Sequence, residues 1–204
     1  MKLLIGGKVS FQGENAMKKY EFTGETKEIY GITLHRIRAV RDFGDARAGD
    51  TGGWIEKEDN LSQKGNAWVY GDAWVCGDAQ VYGDAQVYGN ARVYGDAHVY
   101  GNALVYGNAR FCGNAWVCGG AWSVSPLYIQ GTRWSINISS PNTVRCGCQN
   151  HTFQEWHDRY KAISRLHGAD DVLDEYISYF NLICSMYGHE DCMIDVVSGM
   201  RDDG

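Results

Sequence analysis

Gly65-Asn66-Ala67-Trp68-Val69-Tyr70-Gly71-Asp72-Ala73-Trp74-Val75-Cys76 opens a run that decides the fold. Glycine recurs at 65, 71, 77, 83, 89, 95, 101, 107, 113 and 119, a fixed step of six. Asn or Asp follows each glycine until Gly120 breaks the rule, and alanine comes next every time, from Ala67 to Ala121. Two positions on stands valine, replaced once by Phe111, and then Tyr or Cys. Self-similarity this strict marks a solenoid. Ala-x-Val-(Tyr/Cys) alternates with period two, so Ala and Val share the inner face and the other two point outward. Gly-(Asn/Asp) makes the corner, because both residue types tolerate positive φ. Three such sides give an 18-residue triangular coil, and residues 18 apart stack in columns. The expected fold is all-β dominated: a left-handed parallel β-helix built on hexapeptide repeats.

The flanks predict how the array is closed. Tyr20–Thr23 and Ile32–Ile37 alternate as strands, with a turn at Thr23-Gly24-Glu25 and another at Tyr30-Gly31, so residues 1–42 form an N-terminal extension and β cap. Met17 is a natural alternative start, with residues 1–16 as an extension. Residues 43–122 form the β-helix, its first coils degenerate over 43–62. After Trp122 the period is lost, and residues 123–188 read as an α+β appendage. Leu127–Ile138 and Thr143–Cys148 are its strands, and Thr152 with Glu155 makes a capping box for a helix ending near Gly168. A second helix is expected from Asp170 or Asp171 to Gly188, and a flexible acidic tail over 189–204.

Charge narrows the partners. The net −6 divides into 0 over residues 1–60, −1 over 61–122 and −5 over 123–204, so no basic stripe exists for a nucleic-acid polymer. No apolar run is long enough for a membrane span. Seven cysteines without a secretion signal point to reduced thiols, hence to a cytoplasmic protein.

Three constellations carry candidate chemistry. Trp74, Arg92, Tyr94 and Arg110 fall on one face, where two guanidinium groups one coil apart suit the oxygens of a small anion and a ring suits a base. The bland alternative is that the arginines keep an aromatic wall soluble or pair with the acidic appendage. His98, the array's one histidine, is the candidate base of an acyltransferase, but its column of Gln80 and Trp116 holds no acid. Cys146, Cys148 and His151 have ligand types that zinc accepts, at a spacing that fits it poorly; thiols at a strand end are the simpler reading. The outward columns Trp68/Gln86/Leu104/Trp122, Tyr70/Tyr88/Tyr106 and Tyr82/Tyr100/Cys118 are rich in rings. Such a surface implies self-association, as a trimer, or cover by the C-terminal segment.

Arg41-Asp42-Phe43-Gly44-Asp45, Gly52-Gly53-Trp54-Ile55-Glu56, Asn60-Leu61-Ser62 and the hexapeptide run resemble the phage and prophage β-solenoid proteins, often labelled transferases or polymer-forming proteins. The likeness covers roughly residues 17–160 and transfers no catalytic residue. It implies a host-directed accessory role, counter-defence among the possibilities. The combined expectation is a non-enzymatic, cofactor-free binding protein. It would be a homotrimer that engages a host protein or holds a small anionic, nucleotide-like ligand at a subunit seam. The alternative is an acyl-CoA-dependent acyltransferase using His98.

Overall fold

Most of the repeat glycines solve two problems at their corners. From Gly65 to Gly113 their φ angles lie between +57° and +71°, a region that strains residues bearing a Cβ. The corners also stack: a Cβ on Gly83 would stand 3.0 Å from the backbone nitrogen of Gly101. The computed structural model describes residues 18–195; the expectations for residues 1–17 and 196–204 lie outside them.

The chain opens with an antiparallel hairpin, β1 (Tyr20–Ile29) and β2 (Ile32–Ala39), closed at Tyr30-Gly31 with both residues at positive φ. The expected turn at Thr23-Gly24-Glu25 is instead an irregularity within β1, where pairing shifts between Phe22 and Thr26. β3 (Thr51–Ile55) begins the first coil. Ten two-residue strands follow: β4 (Trp68–Val69), β5 (Trp74–Val75), β6 (Gln80–Val81), β7 (Gln86–Val87), β8 (Arg92–Val93), β9 (His98–Val99), β10 (Leu104–Val105), β11 (Arg110–Phe111), β12 (Trp116–Val117) and β13 (Ala121–Trp122).

They stack in parallel into three faces, giving a β-solenoid of about four turns. The first face runs β3-β5-β8-β11 and is extended below by the hairpin. The second runs β6-β9-β12, with Leu61 bridged to Val81 beneath it. The third runs β4-β7-β10-β13. Pairs such as Arg92↔Arg110 and Gln80↔His98 have the expected 18-residue register. The inner alanines and valines are fully buried, as period-two alternation requires.

A solenoid's two ends leave backbone groups without a neighbouring coil. At the lower end β2 pairs with β3, the Tyr20 hydroxyl donates to the Leu61 carbonyl (2.7 Å), and the Lys19 ammonium donates to the Ala67 carbonyl (2.7 Å). Asn60 substitutes for a missing strand residue, its Nδ2 donating to the carbonyls of Gly77 and Ala79. At the upper end the Arg110 amide donates to Ser125 Oγ, the Cys118 amide donates to the Ser139 carbonyl, and Asn137 Nδ2 donates to the Trp116 carbonyl.

Trp122 departs from its expected outward column. It pairs in register with Val105, points into the prism and packs edge-on to Phe111. Its indole N–H donates to the Gly119 carbonyl (2.7 Å). Gly120, not Gly119, takes the positive φ here, so the step shortens by one residue and the last inner position turns over. With no further coil above, the indole covers the open core.

The appendage is a four-stranded antiparallel sheet: β14 (Tyr128–Gln130), β15 (Ser135–Ser140), β16 (Thr143–Cys146) and β17 (Gln149–Thr152). Helix α1 (Phe153–Leu166) starts at the expected capping box, with Thr152 Oγ1 accepting from the Glu155 amide. A short 3-10 turn at Asp170–Val172 precedes α2 (Leu173–Tyr187), which ends at Gly188 with φ +76°. Residues 189–195, expected as part of a flexible tail, are instead anchored through buried Cys192 and Ile194. The Ile194 amide and carbonyl are both bonded to the Asn181 side chain.

Candidate functional site

The sequence placed Trp74, Arg92, Tyr94 and Arg110 on one face, and the fold brings them together. Trp74 pairs with Arg92 and Arg92 with Arg110 along β5, β8 and β11. The Arg92 guanidinium lies 5.5 Å from the centre of the Trp74 ring, and the Trp74 and Tyr94 rings are 5.9 Å apart. Arg110 is exposed and Arg92 half-buried. Neither forms an ion pair with a carboxylate among the described residues. Burial first, and then Cys112, pushes the Tyr94 phenol above its ordinary pKa, with Arg110 and Arg92 opposing. Tyr94 is therefore a neutral hydrogen-bonding group near physiological pH.

Trp74 differs from expectation: it is buried at 8 % exposure and joins Leu34, Trp54 and Cys76 in a cluster flanked by Ile29 and Ile32. The tip of the β1–β2 hairpin covers this part of the face. Trp74 is thus a floor beneath Arg92 and offers no open stacking surface. Trp68 is likewise buried, against Tyr20 and Phe43, so N-terminal residues cover the foot of the third face, where self-association or cover by the C-terminal segment was expected.

The hairpin contributes cations that periodicity missed. Lys27 sits 4.2 Å from the centre of the Trp54 ring and Arg36 sits 4.9 Å from it. Burial is the main force lowering the Lys27 pKa; Asp72 opposes it, and Arg36 and Arg92 reinforce it. Trp54 Nε1 and Arg36 Nε are buried donors without a protein acceptor among the described residues. Lys27, Arg36, Arg92 and Arg110 thus form a positive rim on one face of an otherwise acidic chain. Only the ladder partners were legible in the repeat, because Lys27 and Arg36 arrive from a hairpin outside it.

His98 occupies a ring stack on the second face. Its imidazole lies 4.0 Å from the Trp116 ring at an interplanar angle of 21°, and Arg145 of β16 covers the same indole at 4.1 Å. Burial, then Arg145, lowers its pKa, and Asp96 opposes them. Among the described residues its Nδ1 is buried without a partner, and no carboxylate orients it as the base of an acyl transfer requires.

Cys146, Cys148 and His151 do not assemble into a metal centre. No three His, Cys, Asp or Glu side chains converge suitably among the described residues. Burial pushes the Cys146 thiol up to about 12, so without a metal it stays a neutral thiol at physiological pH. His151 bonds Gln149 and lies edge-on to Trp156. The residues belong to the wall between the appendage sheet and its helices.

Fold and face together define a β-solenoid protein with a capped lower end, a helical appendage and one cationic, aromatic face. The YdcK Beta solenoid repeat family matches residues 85–101 and 97–113. A protein of Escherichia coli (strain K12) described as "Uncharacterized acetyltransferase YdcK" is 37% identical over 62 residues. That match covers 26% of this chain and 19% of the relative, so the chain spans about a fifth of the curated protein it resembles. Among the described residues no helix is long and apolar enough to cross a membrane.

Proposed function

We propose that this protein is a non-enzymatic binding solenoid whose cationic face holds a small anionic, nucleotide-like ligand. The observation that carries the reading is the adjacent pair Arg92 and Arg110, held one strand apart and free of ion-paired carboxylates among the described residues. Parallel strands lie ~4.8 Å apart, a spacing at which two guanidinium groups share the oxygens of one phosphate or diphosphate. Lys27 adds charge, and the Tyr94 phenol adds a hydrogen-bonding group beside it. A homotrimer would place this face at a subunit seam. The stacked pairs Tyr82/Tyr100 and Tyr88/Tyr106, half-buried and nearly parallel, support such an association. The resemblance to phage solenoids extends the proposal to a host-directed role in the cytoplasm, in which the protein sequesters a signal nucleotide or engages a host protein.

Calorimetric titration with ADP and with inorganic pyrophosphate tests the binding reading. Affinity should fall at least tenfold in the Arg92→Ala/Arg110→Ala double variant and weaken with added salt. Equal affinity in the variant would refute the site. Light scattering or native mass spectrometry reads the oligomeric state.

A second reading has one observation in its favour, the described activity of the Escherichia coli relative. In that reading the protein is an acyl-CoA-dependent acyltransferase with His98 as base. Acetyl-CoA turnover abolished by His98→Ala would establish it over the binding reading.

A further inference from the structure

The appendage contains a cavity of about 110 Å³ that lies away from the cationic face. It opens between β15–β17 on one side and α1 and α2 on the other. The rings of Trp134, Trp156, Tyr160, Tyr176 and Phe180 line it, with the His167 imidazole at its edge, and aliphatic side chains including Ile163 fill the gaps between them. None of its lining residues is Asp, Glu, Lys or Arg. Phe180 is buried, and the four tryptophan and tyrosine rings are half-buried, so the lining reaches solvent.

The lining is held in place by hydrogen bonds that occupy several of its polar groups. The Tyr176 hydroxyl donates to the Trp134 carbonyl (2.9 Å) and accepts from the Trp134 and Arg133 amides. The Trp156 indole donates to the Val144 carbonyl (2.8 Å), and the Ser164 hydroxyl to Asp170. Gly147 has no Cβ to push Trp134 away: one built there would come within 3.1 Å of that ring. These walls present ring faces and edges. A charged ligand entering them would lose its water and meet no carboxylate, lysine or arginine in return. Water filling such a lining finds few polar partners, and an apolar cavity of similar scale holds one benzene-sized molecule.

We infer that this appendage cavity is a binding site for a small, uncharged aromatic molecule. The proposal is independent of the anion face, and variants separate the two sites. The probes are fluorobenzene, followed by ¹⁹F ligand-observed NMR, and indole as competitor. Fluorobenzene should bind at low-millimolar concentration or tighter and be displaced by indole. It should bind at least tenfold more weakly in Ile163→Phe, which fills the cavity. Leu173→Trp fills it from the other helix and keeps the test usable should the first variant misfold. Arg92→Ala/Arg110→Ala should bind the probe as wild type does. The proposal is overturned if fluorobenzene and indole both fail to bind. It is also overturned if neither folded plugged variant weakens binding, or if benzoate or cyclohexane binds as well as fluorobenzene.

Discussion

Replacing Tyr20 with phenylalanine removes one oxygen and keeps the ring. The hydroxyl is buried at the solenoid's lower end, where it donates to the Leu61 carbonyl at 2.7 Å and also approaches the Glu58 carbonyl at 3.0 Å. Among the described residues no coil lies beneath Leu61 to supply a backbone donor. Burial raises the phenol's pKa well above its ordinary value, with Glu58 and Asp59 adding to the effect, so the group remains a donor throughout the neutral range. Tyr20→Phe keeps the packing against Trp68, 6.0 Å between ring centres, and leaves a buried acceptor unpaired. Such a loss costs about 1–3 kcal/mol. For a domain of this size that is a Tm decrease of about 2–12 °C. Urea and thermal unfolding followed by circular dichroism read both quantities. Tyr30→Phe, at a residue 86% exposed on the hairpin turn, is the matched control and should change neither. A Tyr20→Phe variant melting within about 1 °C of wild type, with an unchanged urea slope, would refute side-chain closure of the lower coil.

Three further outcomes follow from the same geometry. Desolvation, aided by Arg41, lowers Lys19 from 10.5 to about 8; the folded state therefore loses this proton first, and stability rises by about 3 kcal/mol as pH climbs from about 8 to 10.5. Buried thiols such as Cys146 act in the opposite direction at high pH, so the measurement is the difference in unfolding free energy between wild type and Lys19→Met; a difference independent of pH would contradict the burial. Gly83→Ala should destabilise more than Gly71→Ala: both demand positive φ, about 1–2 kcal/mol for alanine, but only Gly83 meets a stacked corner, and equal urea midpoints would argue against that stacking. His98 should titrate below the usual imidazole range by NMR, and removing the Arg145 charge by Arg145→Gln should raise its midpoint; no change would detach Arg145 from the stack.

The six-residue step alone determined the three-sided solenoid, because glycine corners and period-two alternation are local properties of the backbone. It also determined that Arg92 and Arg110 are neighbours, since a fixed 18-residue coil converts spacing into contact. The Thr152–Glu155 capping box was legible for the same reason: its partners lie three residues apart. Contacts made across long separations were not legible. Lys19 reaches Ala67 across 48 positions and Tyr20 reaches Leu61 across 41, and no periodicity links them. Only the folded hairpin decided that Trp68 and Trp74, written as outward residues, are buried beneath it. Only the missing fifth coil decided that Trp122 turns inward, because an exposed apolar core outweighs the repeat's own register. The repeat thus sets the ladder of the cationic face, while the tertiary structure supplies its rim and the aromatic cavity of the appendage.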